Sequence, residues 1–212
     1  MSKLNAVKNF FTHEDKKIRD DRWIFLSMLI GAIFSLIAAF VLTNDAFRLA
    51  ENPDTQLSCS VNAVINCGTV AKSQYNQLFG FPNSFLGLMM EPVVITLAIA
   101  GLAGIKFPKL FMLFAQFGYT LGFIFALWLF GISYFVIGAL CPWCMLVTLS
   151  TMFVFFAMTR FNIRENNLYL PQKIQKSLHR FIERDFDKLV LGGLIVLMAA
   201  AIILKYGGAL FA

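Results

Sequence analysis

The chain has 212 residues, of which 58% are hydrophobic and only 14% charged, where a soluble domain carries roughly 25% charged residues. That excludes a water-soluble globular enzyme. The formal net charge of +6 needs no nucleic acid to explain it, because basic residues also gather where anionic lipid head groups lie.

Residues 1–22 are mostly polar and read as a cytoplasmic N-terminal segment. The apolar run from Trp23 to Thr43 predicts the first span. It is too long for the core of a cleaved signal peptide, so it is expected to be retained. Further apolar runs extend from Ser84 to Ile105, with Glu91 the only acidic residue, from Leu110 to Ile132, from Pro142 to Met158 and from Leu189 to Leu204. Each approaches the ~20 residues a helix needs to cross the hydrocarbon core, and none alternates as a barrel strand would. The predicted fold is therefore an all-α integral membrane protein, with a four-helix transmembrane bundle over residues 23–160. A fifth transmembrane helix and a short outer tail follow at 189–212. In the basic linker at 161–188, Ile174, Leu178, Phe181 and Ile182 recur at helical spacing, which predicts an amphipathic helix at the membrane surface. Gly87, Gly118 and Gly122 are expected where helices pack closely.

Fifteen of the eighteen Lys and Arg residues fall before the first span, between spans two and three, or between spans four and five. Only Arg48, Lys72 and Lys205 fall on the other side. Basic residues stay in the cytoplasm, so the N-terminus is expected inside and the C-terminus outside. His13 and His179 are then cytoplasmic and cannot assist chemistry at the outer face.

The four cysteines form two pairs, Cys59-x7-Cys67 in the first outer loop and Cys141-Pro142-Trp143-Cys144 at the start of span four. Both pairs fall on the oxidising side, where disulfides persist. Pro142 suits the first helical position, so Cys141 is expected to cap that helix, where unpaired N–H groups favour a reactive thiolate. Cys144 lies one turn deeper. One sulfur can then meet the loop while the other faces a lipid-soluble acceptor. Static disulfides, inert thiols or a zinc site built from all four cysteines are the alternatives. The x7 spacing is wide for zinc, and a C-x-x-C link within one helix braces little.

This ordering resembles the vitamin K epoxide reductase family, specifically its bacterial disulfide-forming members, over about residues 20 to 160. The resemblance rests on the loop pair within C-S-V-N-A-V-I-N-C, Ser73 six residues after Cys67, the N-S-F-L-G run at Asn83 to Gly87, and the C-P-W-C pair. It implies a four-helix bundle around a quinone (ubiquinone or menaquinone), capped by a loop with a half-helix over Gly68 to Leu78. It further implies that Cys141 and Cys144 are the active-site pair, with Cys144 beside the quinone, and that Cys59 and Cys67 shuttle electrons from a thioredoxin-like partner. Ser73 and Asn83 match positions that face the quinone carbonyls, and Phe85, Leu88 and Met145 are expected to complete the apolar wall. Two departures are visible. Many bacterial members carry a fused thioredoxin-like domain, whereas this chain ends eight residues past Leu204, so a separate exported partner is expected. The vitamin K enzymes have a Tyr four residues after the second active-site Cys, where Thr148 stands here.

Local explanations run alongside. Asn83 can simply cap the second helix. Trp143 sits at head-group level, where Trp is enriched. Glu91 is a functional candidate as a membrane carboxylate, yet a carboxylic acid hydrogen-bonded near the Pro92 kink explains it as well. The other functional classes are the same scaffold run in reverse, reducing a quinone or its epoxide, and a non-enzymatic tetraspanning protein with a disulfide-braced loop. Proteins of the latter kind, at tight junctions, carry a Trp-rich signature before the loop cysteines, and this loop has no Trp.

The charge asymmetry yields a direct topology test. Alkaline phosphatase fusions should be active after Ser60 and after Ala212, and inactive after Phe107; activity at Phe107 would overturn the scheme.

Overall fold

The computed structural model describes residues 15–210. His13, Lys3 and Lys8 lie outside the described residues, as does the end of the outer tail. The elements in chain order are α1 (Lys16–Glu51), α2 (Cys67–Ala71), α3 (Ser84–Leu102), α4 (Lys109–Ile132), α5 (Pro142–Arg164), α6 (Gln172–Glu183) and α7 (Phe186–Leu210). Five of these, α1, α3, α4, α5 and α7, are long and apolar enough to cross a membrane. The chain is an all-α integral membrane protein.

Helix ends follow local chemistry. The Asp15 carboxylate accepts from the Lys17 N–H at 2.8 Å and starts α1. Thirty-six residues make α1, about 54 Å at 1.5 Å per residue, against a hydrocarbon core of ~30 Å. Its last turns, carrying Asp45 and Arg48, therefore stand clear of the span predicted to end at Thr43. Pro142 occupies the first turn of α5, where its missing N–H costs nothing. After α4 the chain widens into a π turn, Ser133–Ile137, which Gly138 closes at φ 72°. The expected half-helix over Gly68 to Leu78 is two pieces, because Ser73 is extended between α2 and a 3-10 turn at Gln74–Gln77.

α1 is the centre of the bundle, packing along both α3 and α5, while the α4 backbone packs on α5 and stays farther from that of α3, which it meets through long side chains. Small residues make the α1 seams close. Ala32, Ser35 and Ala38 are wholly buried. A Cβ on Gly31 would lie 2.8 Å from Val154 Cγ2 and 3.3 Å from the Ser150 carbonyl oxygen; one on Gly87 would lie 2.8 Å from Ala39 Cβ. Helices meet this closely only where side chains are absent. Gly118 and Gly122 do not belong to this class: a Cβ would meet only the flexible end of Met90 at 3.4 Å, or nothing. The core between the seams is Phe25, Met28, Val94, Leu97, Met112 and Met158, among others.

One end of the bundle is tied by ions and amides. Arg160 grips Asp187 through both carboxylate oxygens at 2.7 and 2.8 Å and reaches Asp185 at 2.9 Å, fixing α5 to α7. Arg164 pairs with Asp21, and Lys17 with Glu165 at 2.8 Å, fixing α5 to α1. Asn162 donates to Gln116 at 3.0 Å and accepts from Asn167 at 2.9 Å, so the amides there satisfy one another. α6 is strongly amphipathic, as its spacing predicted, and buries Ile182. The cysteines all lie at the opposite end of the bundle.

The α1–α5 seam can be tested by a double-mutant cycle. Gly31→Ala should destabilise the detergent-solubilised protein by about 1–3 kcal/mol, the usual cost of overpacking. Combined with Val154→Ala, the loss should fall short of the sum of the single losses by at least ~0.5 kcal/mol. Strict additivity in the thermal unfolding data would mean that the seam has room to spare.

Candidate functional site

The loop between α1 and α3 is short of regular structure but well satisfied in hydrogen bonds. Asn62 Oδ1 accepts from the N–H groups of Val64 and Ile65 at 2.9 and 2.7 Å, closing a turn between the two loop cysteines. Val61 N–H donates to Ile65 O at 2.9 Å. Asn66 caps α2, accepting from Thr69 N–H at 2.9 Å, and Ser60 Oγ donates to Asn66 Oδ1 while accepting from Gly68 N–H, both at 3.2 Å. This turn is then stitched to the segment before α5. Leu140 N–H donates to Val64 O at 2.7 Å, and Asn66 N–H donates to Leu140 O at 3.0 Å, a parallel bridge between Ile65 and Leu140.

The bridge sets the register of the sulfurs. Cys67 and Cys141 both follow it directly, and their sulfurs lie 3.2 Å apart. Cys59 and Cys67 form a disulfide with an S–S distance of 2.07 Å, while Cys141 and Cys144 are thiols. The loop cysteine that meets Cys141, which the sequence leaves open, is therefore Cys67. Cys67 and Cys141 are each 1% exposed, whereas Cys59 keeps 9%.

Cys141 caps α5 as expected, its sulfur accepting from the Cys144 N–H at 3.4 Å. The Cys144 thiol, together with the backbone N–H groups of Cys144 and Trp143, holds the Cys141 thiol below its ordinary range, against the opposing effects of burial and of the Asp45 carboxylate. Such a thiol is both a competent thiolate and a good leaving group.

Beneath the sulfurs a cavity of about 510 Å³ opens between α3 and α4, whose backbones are widely spaced, with α1 and α5 completing its wall. Cys141 and Cys144 form part of its wall, with Ser73, Asn83 and Met145, all expected there. Phe85 and Leu88 do not. The cavity face of α3 is Leu86, Gly87, Met90 and Glu91, a three-to-four-residue spacing that turns Phe85 and Leu88 elsewhere. Phe85 packs instead on Phe47 and Phe81, with ring centroids 6.1 and 5.9 Å away. Gly118 and Gly122 line the cavity; their missing side chains make room rather than a seam.

Asn83 is not a helix cap by its side chain, and its backbone is already helical. The amide instead clasps the covering segment, donating to Tyr75 O at 2.7 Å and accepting from Leu78 N–H at 3.3 Å. One amide hydrogen remains to offer a ligand. The Ser73 hydroxyl donates to Val70 O at 2.7 Å, which leaves it an acceptor toward the cavity. Thr148 donates back to Cys144 O at 3.0 Å.

Two acidic residues complete the site. Glu91 accepts from Ser35 at 2.7 Å and Tyr119 at 3.3 Å through one oxygen, and its second oxygen is buried without a partner. The sequence marks Glu91 as the charge in an apolar span, but not Ser35 and Tyr119. Asp45 was missed altogether: as the first charge past a span it reads as an interfacial residue, yet it is buried beside the sulfurs, with Oδ2 3.9 Å from Cys59 Sγ. Among the described residues no His, Cys, Asp or Glu cluster could hold a metal ion.

No curated protein matches the chain. A family model described as the vitamin K epoxide reductase family matches residues 26–159, well over half of the sequence, from within α1 to near the end of α5 and including all four cysteines. The chain belongs to the vitamin K epoxide reductase family, and is an integral membrane oxidoreductase that acts through its thiols.

Proposed function

We propose that the protein oxidises an exported thioredoxin-like protein, through Cys59–Cys67 and then Cys141–Cys144, and passes two electrons to a membrane quinone, as the bacterial disulfide-forming members of the family do. The observation that carries this reading is the 3.2 Å approach of Cys67 to Cys141, with Cys144 on the wall of an apolar cavity. A line of sulfurs then leads from the loop surface to a space reachable by a lipid-soluble acceptor.

The roles follow from exposure. Cys59, the less buried loop sulfur, receives the partner's thiolate, and Cys67 leaves. The Cys67 thiolate attacks Cys141 of the oxidised active-site pair, and Cys144 leaves as a thiolate on the cavity wall. A second partner thiol releases Cys59, which attacks Cys67 and restores the loop disulfide, leaving Cys141 and Cys144 reduced. Each exchange needs only an accessible thiolate and a good leaving thiol. A quinone bound in the cavity would supply the two-electron, two-proton acceptor needed to re-form Cys141–Cys144, with Cys144 on the wall beside it.

The residues fit that acceptor. The volume lies within the roughly 300–1,000 Å³ of small-molecule sites, the wall is mainly apolar, and Asn83, which lines the same cavity as Cys144, keeps one amide hydrogen free. The remaining members of the wall exclude water from the thiols, which keeps the electrons from being lost to side reactions. The same reading places the cysteine end on the exported face, because the basic segments gather at the other end.

Peptide mapping tests the order of the sulfurs. Cys144→Ala should accumulate a Cys67–Cys141 disulfide, since the resolving thiol is gone, and a trapped Cys59–Cys141 link would reverse the loop assignment. Cys59→Ala and Cys67→Ala proteins should still reduce a quinone with small dithiols while losing oxidation of a thioredoxin-like protein by about a hundredfold or more, on the order of 2.7 kcal/mol at 1.36 kcal/mol per decade. Normal protein oxidation by either variant would end the shuttle reading.

A further inference from the structure

Asp45 is difficult to explain as packing. It lies on α1 with 6% exposure, against the apolar cluster of Leu57, Cys59, Cys67 and Cys141. An ionised carboxylate buried without a donor is costly, and among the described residues no ion pair within 4.0 Å holds it. The side-chain contact at hydrogen-bond range is with the Cys59 sulfur at 3.9 Å, which has no hydrogen to give while Cys59 is in a disulfide. The contact becomes a hydrogen bond only when the loop is reduced and Cys59 is a thiol. Asp45 also borders a void of about 10 Å³ shared with Cys67, Cys141 and Cys144, on the order of the space one water needs.

We propose that Asp45 is the general base that takes the proton from Cys59 as the loop disulfide re-forms. The assignment rests on the relay reading above. In the step concerned, Cys59 carries its proton and Cys67 is joined to Cys141. The Cys59–Cys67 bond forms, the Cys67–Cys141 bond breaks, the electron pair leaves on Cys141 and the proton passes to Asp45. Cys59 is oxidised and Cys141 reduced, so no further reagent is needed. The leaving side is prepared as well: two N–H groups, and the Cys144 thiol once it has regained a proton from water, favour the Cys141 thiolate. The titratable or charged groups around Asp45 are Arg48 on its own helix, Cys59 in the loop, Cys67 on α2, and Cys141 and Cys144 at the head of α5. None of these is a stronger base already in contact with Cys59.

The test uses the full chain in lipid nanodiscs, reduced with a dithiol, freed of it, and mixed with a short-tailed benzoquinone. Acid quenching, alkylation and mass spectrometry then follow the two disulfides separately in time. Near pH 7, Asp45→Asn should form Cys59–Cys67 about a hundredfold more slowly than wild type, at the low end of what a positioned base contributes. The ratio to wild type should approach one at about pH 10, well above the ~8.5 at which an ordinary thiol ionises unaided. Formation of Cys141–Cys144 should match wild type at every pH, and Asp45→Glu should recover much of the loop rate. A deficit that is the same at all pH values would make Asp45 a packing residue and overturn the proposal, as would no deficit. A wild-type protein that oxidises Cys141–Cys144 but never Cys59–Cys67 would overturn the relay itself, a result separate from either.

Discussion

Two hydrogen bonds, between Leu140 and the backbone of Val64 and Asn66, hold the active end together. They matter because sulfur exchange tolerates little error in approach, and the long connection from α1 to α3, residues 52–83, has great freedom to lose. A parallel bridge removes that freedom at one point and leaves Cys67 and Cys141 as the next residues out. The supporting contacts, Asn62 across its turn and Asn66 at the start of α2, carry the bridge's order to the sulfur. Polar side chains of a kind often dismissed as loop composition are therefore what bring the two pairs into contact.

A second constraint is uneven packing. α1 meets α3 and α5 across small residues, so these three helices form a close-packed wedge, while the backbones of α3 and α4 are held apart and meet only through side chains such as Tyr119 and Glu91. A cavity in a membrane bundle persists only if the helices around it are fixed by contacts elsewhere, since nothing in lipid drives apolar walls apart or together. Here the fixing is done by the α1 seams and, at the far end, by Arg160, Arg164 and the amides of Gln116 and Asn162. Glycines serve both purposes in one molecule. Gly31 and Gly87 let backbones touch, whereas Gly118 and Gly122 hold space open.

Much of this was legible in the sequence, and the boundary has a physical cause. Apolar length gave the five spans, Pro142 gave the start of α5 and the place of Cys141, and the paired cysteines with Asn83 and Ser73 gave the neighbourhood of the cavity. What failed depended on rotation about a helix axis. Phe85 and Leu88 look as suitable for an apolar wall as Leu86 and Met90, because in a span every face is apolar and periodicity carries no signal. Gly122 was misjudged for the same reason. Asn83, readable as a cap, a ligand contact or both, makes no side-chain cap and clasps Tyr75 and Leu78, the former a contact eight residues back in the chain that no local rule anticipates. Asp45 was invisible because the sequence puts it past the end of a span, whereas α1 continues and the loop folds down onto it.

The two sulfur pairs sit in surroundings that differ in kind, and the difference gives the exchange its direction. Burial and the Asp45 carboxylate oppose a thiolate on Cys59 and on Cys141 alike, but among the described residues no N–H or O–H group is aimed at the Cys59 sulfur, which lies against Leu57 and the Cys67 sulfur. Cys141 lies at a helix N-terminus, with N–H groups and a neighbouring thiol aimed at its sulfur. Negative charge is therefore better accommodated on Cys141 than on Cys59, and an electron pair arriving at the loop moves on toward α5 without any conformational drive. Water would weaken this difference by solvating both thiolates alike. The burial of Cys67 and Cys141 to 1% exposure is thus more than packing: it preserves the electrostatic contrast by which two chemically identical side chains become donor and acceptor.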